Sequence, residues 1–533
     1  MNGRNVALLG SLILSLLTCD NIVYAETCDE SCVRDALSTF FESTGGEGWK
    51  NSENWLDNNV PVEQWFGISK NIDAVSNEPI YNIFITSNNL IGTIPFDEWV
   101  FPNLAGLNVQ NNYGIVGTIP ENISSFTSLK RLVLRDTKIT GPLPSGLFSL
   151  SLLRVADLKS VDLTGSVISP DWGLLTNLKE LHLQGTGSIG GIPTELFELR
   201  KMEKLNLSNN PNLGGRLPSK IGNMRLLKIA NLDRLGLIGS MPSTLFDLPD
   251  LEEINLSRNY NLEGTIPDTV NNLSMLKKVN IGFCSLTGSL PAFSGSEMLT
   301  SLKIPRNGLS GSVPENFLQR SSVSAELVTV DIAANWFTGS IPESLDRFDN
   351  FFINLSNNWI EGVPQALCEK EMWMDGLVSQ YGCNALLCPI GTYNAMGRQT
   401  ADAVCEDCAN GCYYGELTCK TGPCPTNSPT TITMSPTAGP ISSSDKLITS
   451  IPSSPQIASP TESKVQTSAP PIASPTENII QTTKSPVIDD SNADDSTVAA
   501  PIPAAGVKSI GVVLVPHFCT SLTLLLLGVS ILF

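Results

Sequence analysis

Histidine is nearly absent from this chain of 533 residues, which contains only His182 and His517, in unrelated segments. This scarcity excludes most histidine-based metal sites, and every Ser-His-Asp or Cys-His catalytic group that does not use His182. Charged residues are also few, at 16% of the chain, against about 25% in a typical soluble domain. The chain also lacks a P-loop and a nucleophile elbow. We therefore expect no enzyme activity and no cofactor.

Positive charge is in deficit. The chain has 33 lysines and arginines against 52 aspartates and glutamates, which gives a formal net charge of -19. A chain with this charge repels phosphate backbones, so we expect no nucleic-acid partner.

The first 25 residues have the pattern of a secretory signal. Arg4 supplies a positive charge, residues 6–17 form an apolar run, and residues 23–25 place small side chains at the positions that signal peptidase recognises. The run is too short to span a bilayer. We expect cleavage after Ala25 and entry into the secretory pathway.

Residues 509–533 form a second apolar segment, whose nearest base is Lys508, on its N-terminal side. A polar spacer precedes it, with small residues at 491–493 and 504–506 as attachment sites. This pattern favours a GPI-anchor signal over a transmembrane helix, which is the alternative interpretation. Either one would tether the protein to the extracellular side of the plasma membrane.

A motif of about 24 residues, Leu-x-x-Leu-x-Leu-x-x-Asn-x-Leu-x-Gly-x-Ile-Pro, recurs through the middle of the chain. Its glycine stands at Gly92, Gly117, Gly141, Gly190, Gly215, Gly239, Gly264, Gly288, Gly311 and Gly339, with degenerate copies at Gly165 and Gly362. The motif resembles the repeat of plant-type extracellular leucine-rich-repeat proteins of the receptor-like, cell-surface kind. The resemblance implies an α/β solenoid over residues 79–364, a right-handed superhelix of about twelve coils with a parallel β-sheet on its concave face.

The spacing of the repeat has a direct physical reason. Each coil supplies one short strand, such as Leu205-Asn206-Leu207, whose leucines point inward while the residue between them faces out. One coil cannot bury its apolar edge alone, but stacked coils can. At about 4.8 Å per strand, twelve strands would give an inner face about 55 Å long.

The asparagine of the motif is expected inside the turn, where its amide satisfies buried backbone groups of adjacent coils. Threonine and cysteine at Thr137, Thr186 and Cys284 can partly substitute, whereas Val161 and Leu235 can neither donate nor accept, so we expect irregular coils at those two positions. This asparagine ladder comprises Asn88, Asn112, Asn210, Asn259, Asn307, Asn335 and Asn358.

Residues 26–78 are expected to cap the first coil. Apolar residues recur at helical spacing from Val33 to Phe41, and Trp49, Trp55 and Trp65 supply bulk. The segment resembles the N-terminal cap of extracellular leucine-rich-repeat proteins from plants and microalgae. That cap usually has cysteines around its last tryptophan, which this chain lacks.

Residues 365–424 contain eight cysteines. Cys388-Pro-Ile-Gly-Thr-Tyr-Asn, Cys405-Glu-Asp-Cys408 and Tyr414-Gly415 resemble the small cysteine-rich module of ephrin-receptor ectodomains. The secretory context favours disulfides over a zinc site, so no metal is expected. The spacing leaves the connectivity open, and the predicted disulfide cysteines are Cys28, Cys32, Cys368, Cys383, Cys388, Cys405, Cys408, Cys412, Cys419 and Cys424.

Residues 425–508 are rich in Ser, Thr and Pro and contain no aromatic residue. Such a segment cannot bury enough apolar surface to offset its ordering entropy, so we predict a disordered stalk.

Bases dominate the residues predicted to line the concave face, which in this family is the usual ligand surface. An anionic ligand is one interpretation, and the frequent Leu-Lys-x-Leu phrase of such repeats is the other. The candidate ligand-binding residues are Arg131, Arg135, Arg154, Lys179, His182, Lys204, Lys228, Arg258, Lys278, Lys303 and Arg306.

Aromatic residues and sequons add further candidate sites. Trp336 and Trp359 follow the ladder position in consecutive coils and are expected near one another on the rim, as a sugar platform or packed against the C-terminal cap. Asn-x-Ser/Thr sequons predict N-glycosylation at Asn122, Asn206, Asn255, Asn272 and Asn354.

Three functions are compatible with these features. The favoured one is a cell-surface recognition protein that binds an extracellular protein or carbohydrate ligand and needs a membrane co-receptor for any signalling. The alternatives are a structural or adhesive cell-wall protein, and an inhibitor of extracellular polysaccharide hydrolases.

The anchor hypothesis has a direct test. Phosphatidylinositol-specific phospholipase C applied to intact cells is expected to release the protein into the medium, because the enzyme cleaves the lipid of a GPI anchor. Immunoblotting of cells and medium measures the release, with an unrelated single-pass protein as the control. Retention on the cells would favour the transmembrane helix.

Overall fold

The structure, a computed structural model, describes residues 28–322 and 326–419. The predicted secretory signal, stalk and apolar tail lie outside the described residues, as does Cys424.

A sheet of thirteen strands, called here the inner sheet, runs the length of the repeats. Twelve of its strands are parallel, one for each coil, which confirms the solenoid and its repeat count. The thirteenth, Ile68–Ile72, pairs antiparallel with the first of them. The parallel strands are Pro79–Phe84, Leu104–Asn108, Arg131–Val133, Val155–Asp157, Glu180–His182, Lys204–Asn206, Ile229–Asn231, Glu253–Asn255, Lys278–Asn280, Ser301–Lys303, Val328–Asp331 and Phe351–Asn354.

Side-chain alternation along these short strands builds the core. The central residue of each three-residue strand points inward, and Leu132, Leu205 and Leu302 are completely buried. Strand pairing places these residues directly above one another from coil to coil. The interior is therefore one continuous apolar column that no single coil could close.

Two smaller sheets, the flank sheets, form where the chain leaves the inner sheet. Between them, Thr140–Asp162 and Val167–Ile189 are isolated bridges, so the coil of Val161 is irregular as expected. The strands of the flank sheets are Ile91–Thr93, Gly114–Thr118 and Lys138–Thr140 in one, and Ile238–Ser240, Asn261–Gly264, Ser285–Gly288, Gly308–Gly311, Trp336–Ser340 and Trp359–Gly362 in the other.

The ladder asparagines join adjacent coils through buried hydrogen bonds. The Oδ1 atom of Asn259 accepts from the backbone N–H groups of Leu235 and Leu237, at 2.9 and 3.1 Å. Its Nδ2 atom donates to the carbonyl oxygens of Leu232 and Leu256, at 2.9 and 2.7 Å. The irregularity expected at Leu235 is wrong, because the asparagine of the next coil satisfies this coil and a regular flank strand begins three residues later.

The outer side of the coils is built from 3-10 helices of five residues. The segment between the proline and the next strand is short, and a 3-10 helix covers it with fewer residues per turn than an α-helix. These helices are Glu121–Ser125, Ser145–Ser149, Pro170–Leu174, Thr194–Glu198, Ser219–Asn223, Ser243–Asp247, Asp268–Asn272, Glu343–Arg347 and Gln365–Glu369.

The N-terminal cap is the helix Glu30–Ser43 with the segment that follows it. Asp29 caps the helix, since its side chain accepts a hydrogen bond from the backbone N–H of Cys32. Cys28 and Cys32 form a disulfide. The three predicted tryptophans are buried and lie within ring contact of one another or of the helix, so they cover the first coil. The 3-10 helices Gly46–Gly48 and Val62–Gln64 complete the cap.

The cysteine-rich module continues the solenoid instead of forming a separate body. The backbone N–H of Asn357 donates to Gly415 at 3.0 Å, and that of Tyr414 donates to Ile360 at 3.2 Å. Its disulfides are Cys368–Cys383, Cys388–Cys405 and Cys408–Cys419, and Cys412 is also disulfide-bonded. Its elements are the helices Leu377–Tyr381 and Cys383–Leu386 and the strands Thr392–Tyr393 and Glu406–Asp407.

The ladder hydrogen bonds predict a large effect for one substitution. Asn259→Ala is expected to lower the free energy of unfolding by about 2–4 kcal/mol, because it leaves buried backbone groups of two coils unpaired. Urea unfolding followed by circular dichroism measures the change. The control is Asn261→Ala, because Asn261 is exposed. An effect of Asn259→Ala no larger than that of the control would contradict the role of the ladder.

Candidate functional site

Two rows of outward-pointing residues cross the inner sheet, and together they define what we call the inner face. Parallel pairing aligns each row from coil to coil. The first row contains Arg131, Val155, Glu180, Lys204, Ile229, Glu253, Lys278 and Ser301, and the second contains Val133, Asp157, His182, Asn206, Asn231, Asn255, Asn280 and Lys303.

The predicted basic residues are spread over this side of the molecule rather than gathered at one site. Five lie in the two rows. Arg154, Lys179 and Lys228 stand immediately before a strand, and Arg135, Arg258 and Arg306 stand in the turn after one. The structure thus gives a strip running along the coils and no single pocket.

Ion pairs between consecutive coils neutralise much of the predicted basic character. Lys179 contacts Glu203 at 2.7 Å, Lys278 contacts Glu253 at 2.8 Å, and Arg258 contacts Asp233 at 3.2 Å. Arg135, His182 and Lys204 also contact acids, so six of the eleven candidates are paired. The sequence contained a usable signal, since opposite charges recur one repeat apart.

Glu180 contacts one side chain of its own strand and one of the next coil. Its carboxylate lies 3.0 Å from Nζ of Lys204 and 3.6 Å from Nε2 of His182. His182 therefore has a carboxylate partner within its own strand. His182 is two residues from Glu180 on the same strand, and Lys204 is directly opposite Glu180 on the next strand, so the three side chains converge.

Glu203 stays ionised under mildly acidic conditions. The hydrogen bond from Lys179 holds the pKa of the Glu203 carboxyl below its usual value, and Lys228 and Lys204 act in the same direction. Asp331, at the other end of the inner sheet, behaves oppositely because burial raises the pKa of its carboxyl.

Four consecutive coils place asparagine in the second row. The Oδ1 atoms of Asn206, Asn231, Asn255 and Asn280 accept from the backbone N–H two residues later, at 3.1, 3.4, 3.1 and 3.3 Å. Their Nδ2 groups make no hydrogen bond to another residue within 28–322 or 326–419, so they can donate to a ligand, although glycans at the predicted sites Asn206 and Asn255 would occupy two of the four. Only two of the four, Asn206 and Asn255, stand in sequons, and the other two carry no sequence motif of their own.

The sequons fall into different environments. Asn206, Asn255 and Asn354 are half-buried in inner-sheet strands, and the Oδ1 of each accepts from the hydroxyl of its own sequon serine. Asn272 is exposed, whereas Nδ2 of Asn122 donates to Phe96 at 2.8 Å. Glycosylation at all five stays a prediction.

The two rim tryptophans have different surroundings. Trp359 stacks on Tyr413 of the cysteine-rich module, with ring centroids 5.7 Å apart and planes 11° apart. Trp336 instead keeps 38% of its surface exposed. The contact of Trp359 agrees with the alternative in which the rim tryptophans pack against the C-terminal cap, and the sugar platform stays a prediction.

Groups that could perform chemistry are sparse in the part of the chain that the structure describes. There, no cluster of three or more His, Cys, Asp or Glu side chains could hold a metal ion. The free thiol of Cys284 is buried, and its burial raises its pKa to about 12, so it is a poor nucleophile. Across residues 28–322 and 326–419, no helix is both long and apolar enough to cross a membrane.

Comparison with known proteins identifies the fold as that of the leucine-rich-repeat solenoids. The PEPR1–AtPEP1 structure matches with a TM-score of 0.52 at 24% identity, over 64% of this chain and 50% of that one. RGFR1, a plant peptide hormone receptor solved with RGF2, gives 0.49 at 24% identity, over 58% and 52%. The Arabidopsis receptor kinase HAESA, solved with IDA and SERK1, gives 0.48 at 22% identity, over 65% and 68%.

The chain thus covers about half the length of the first two structures. No family model and no curated protein matches it.

The buried thiol gives a testable expectation. Because the thiolate is the reactive form, Cys284 in the native protein is expected to resist iodoacetamide at pH 8 and to react fully in denaturant. Mass spectrometry of the peptide that contains Cys284 measures the alkylated fraction. Complete modification of the native protein within minutes would show that the thiol is accessible.

Proposed function

We propose that this chain is a cell-surface recognition protein that binds an extracellular protein or carbohydrate ligand through the inner face. The observation that carries the proposal is the open inner face itself. Its outward side chains align from coil to coil between Arg131 and Lys303, and Arg131, Lys278 and Lys303 are exposed.

The inner face has the chemistry of a binding surface. Inter-coil ion pairs hold Lys204, Lys278 and their acidic partners in defined positions, and the four asparagine amides offer donors beside them. Surface ion pairs of this kind contribute little stability. Their consequence is a pre-arranged polar pattern, which lowers the entropy lost when a ligand binds.

The disulfides support an extracellular location, because such bonds persist in oxidising compartments. Membrane tethering through residues 509–533 belongs to the same proposal. The receptor structures of similar fold were solved with a peptide ligand, in one case with a co-receptor. By analogy of fold alone, a protein ligand and a membrane co-receptor are part of the proposal.

The alternatives predict different behaviour. A structural or adhesive wall protein would use the solenoid as a rod and show no saturable binding at the inner face. An inhibitor of polysaccharide hydrolases would bind an enzyme and suppress its activity. The ordered polar pattern of the inner face favours recognition over the first alternative.

The test compares two lysines in matched surroundings. Lys204 on the inner face and Lys220 on the outer side each contact a glutamate at 3.0 Å, with 43% and 50% of their side chains exposed. The purified full-length chain is screened against glycan and extracellular-protein arrays, and dissociation constants are measured for any ligand found. Lys204→Glu is expected to weaken binding by about tenfold or more, and Lys220→Glu to leave it within about twofold.

Two results would overturn the proposal. Equal effects of the two substitutions would place the ligand elsewhere on the molecule. An absence of saturable binding across both arrays would favour the structural role.

A further inference from the structure

One turn position in every coil forces the backbone into the left-handed region. It lies after the inner-sheet strand and immediately before the ladder residue. In several coils it is held by residues that tolerate this conformation, among them Asn111, Asp136, Gly185 and Asn209. A residue that disfavours the left-handed region is therefore kept at this position for a reason other than backbone conformation.

Four consecutive coils break that preference. Arg234, Arg258, Phe283 and Arg306 occupy the position with φ values of 52°, 57°, 59° and 55°. We call these four residues the arginine rim. Bulky residues are disfavoured in this region of backbone conformation, and such outliers concentrate at binding and catalytic sites. Four in succession indicate that these side chains are retained for what they contact.

The four side chains form one connected group. The Phe283 ring lies between two guanidinium groups, with Cζ of Arg258 at 5.9 Å and Cζ of Arg306 at 5.3 Å from its centroid. Cation–π attraction holds both arginines beside the ring and so fixes their positions before any ligand arrives. The rim is pre-organised.

Charge on the rim is only partly balanced. Asp233 contacts both Arg258, at 3.2 Å, and Arg234, at 3.7 Å. Arg306 is exposed and contacts no acid within 4 Å in the part of the chain that the structure describes. Two of the three guanidinium groups thus share one carboxylate and the third has none, which leaves a positive strip on a chain whose net charge is -19.

Exposed aromatic rings stand beside the same strip. Tyr260 follows the ladder residue in the coil of Arg258, Trp336 follows it in the coil after that of Arg306, and the two are 64% and 38% exposed. The two coils between them carry only Ser285 and Gly308 at this position. At the strand spacing of a sheet, the two rings are about 14 Å apart with small residues between them.

We propose that the arginine rim binds an acidic polysaccharide. Its carboxylate or sulfate groups would pair with Arg258 and Arg306, because guanidinium groups bind such anions through two parallel hydrogen bonds. Its sugar rings would stack on Tyr260 and Trp336, whose apolar ring faces are exposed.

An acidic peptide fits the rim less well. Peptides commonly add to a free sheet edge, but the hairpin strand Ile68–Ile72 covers one edge of the inner sheet and the cysteine-rich module covers the other. The proposal rests on the extracellular placement in the proposed function, and it concerns a different surface from the inner face.

The test removes charge without straining the turn. Asparagine favours the left-handed region, so Arg258→Asn with Arg306→Asn is expected to leave the unfolding midpoint unchanged or raised while it removes both charges. The matched control is Arg131→Asn with Arg154→Asn, since these two exposed arginines, one in the inner face and one immediately before an inner-sheet strand, also contact no acid in the described residues. The probes for the full-length chain are polygalacturonate, dextran sulfate, neutral dextran and poly-glutamate.

Polygalacturonate or dextran sulfate is expected to bind at about 50 mM salt and to weaken steeply as salt rises, because counter-ions screen the rim charges. Neutral dextran is expected not to bind. The rim variant should weaken binding by about tenfold or more, and the control variant by less than about twofold. Trp336→Ala should weaken polygalacturonate binding without changing any binding of poly-glutamate, which has no sugar ring to stack.

Each contrary result has a definite meaning. Equal loss in the rim and control variants would overturn the rim proposal and leave the inner face as the binding surface. Poly-glutamate binding as tight as polygalacturonate binding would assign the rim to an acidic peptide. Failure of both acidic polysaccharides to bind would end the rim proposal, whereas the Lys204 and Lys220 comparison would still decide the proposed function.

Discussion

Stacking of each coil on the next is the interaction on which every other feature of this structure depends. A single coil has too few residues to enclose its leucines, so the apolar interior exists only where neighbours cover it. Turning the chain inside such a stack buries backbone polar groups, and Asn259 shows how one side chain satisfies four of them across two coils. The apolar column and the amide ladder are therefore two parts of one constraint.

The same stacking converts sequence spacing into surface chemistry. Residues one repeat apart become neighbours in space, so Glu180 meets Lys204 and Lys179 meets Glu203. Four asparagines align in the same way along the second row. At the rim, Arg258, Phe283 and Arg306 are brought into contact by the same rule, although the chain separates them by a full coil each. Both proposed binding surfaces are thus products of the repeat length.

Much of this could be predicted from the residues, and the exceptions have physical causes. The repeat count, the caps and the inward-pointing leucines follow from the repeat of about 24 residues, because few other folds are compatible with that period. Leu235 was expected to disturb its coil, but the neighbouring Asn259 compensates for it, and only a view of adjacent coils reveals that. The ring on which Trp359 stacks, that of Tyr413, lies more than fifty residues later in the chain, so no local pattern could identify this particular contact.

Sequence by itself determined the solenoid, because apolar residues at a fixed interval can be buried in only one regular way, and glycine with proline sets where each coil turns. The tertiary structure alone decided how many of the basic residues remain free to meet a ligand. Whether a basic side chain is neutralised depends on which carboxylates lie close to it. The distance between the two groups is set by the lateral register of the coils, which cannot be read from the composition. In the sequence, Arg306 and Lys278 are both basic residues of the repeat, yet among the described residues only Lys278 contacts an acid within 4 Å.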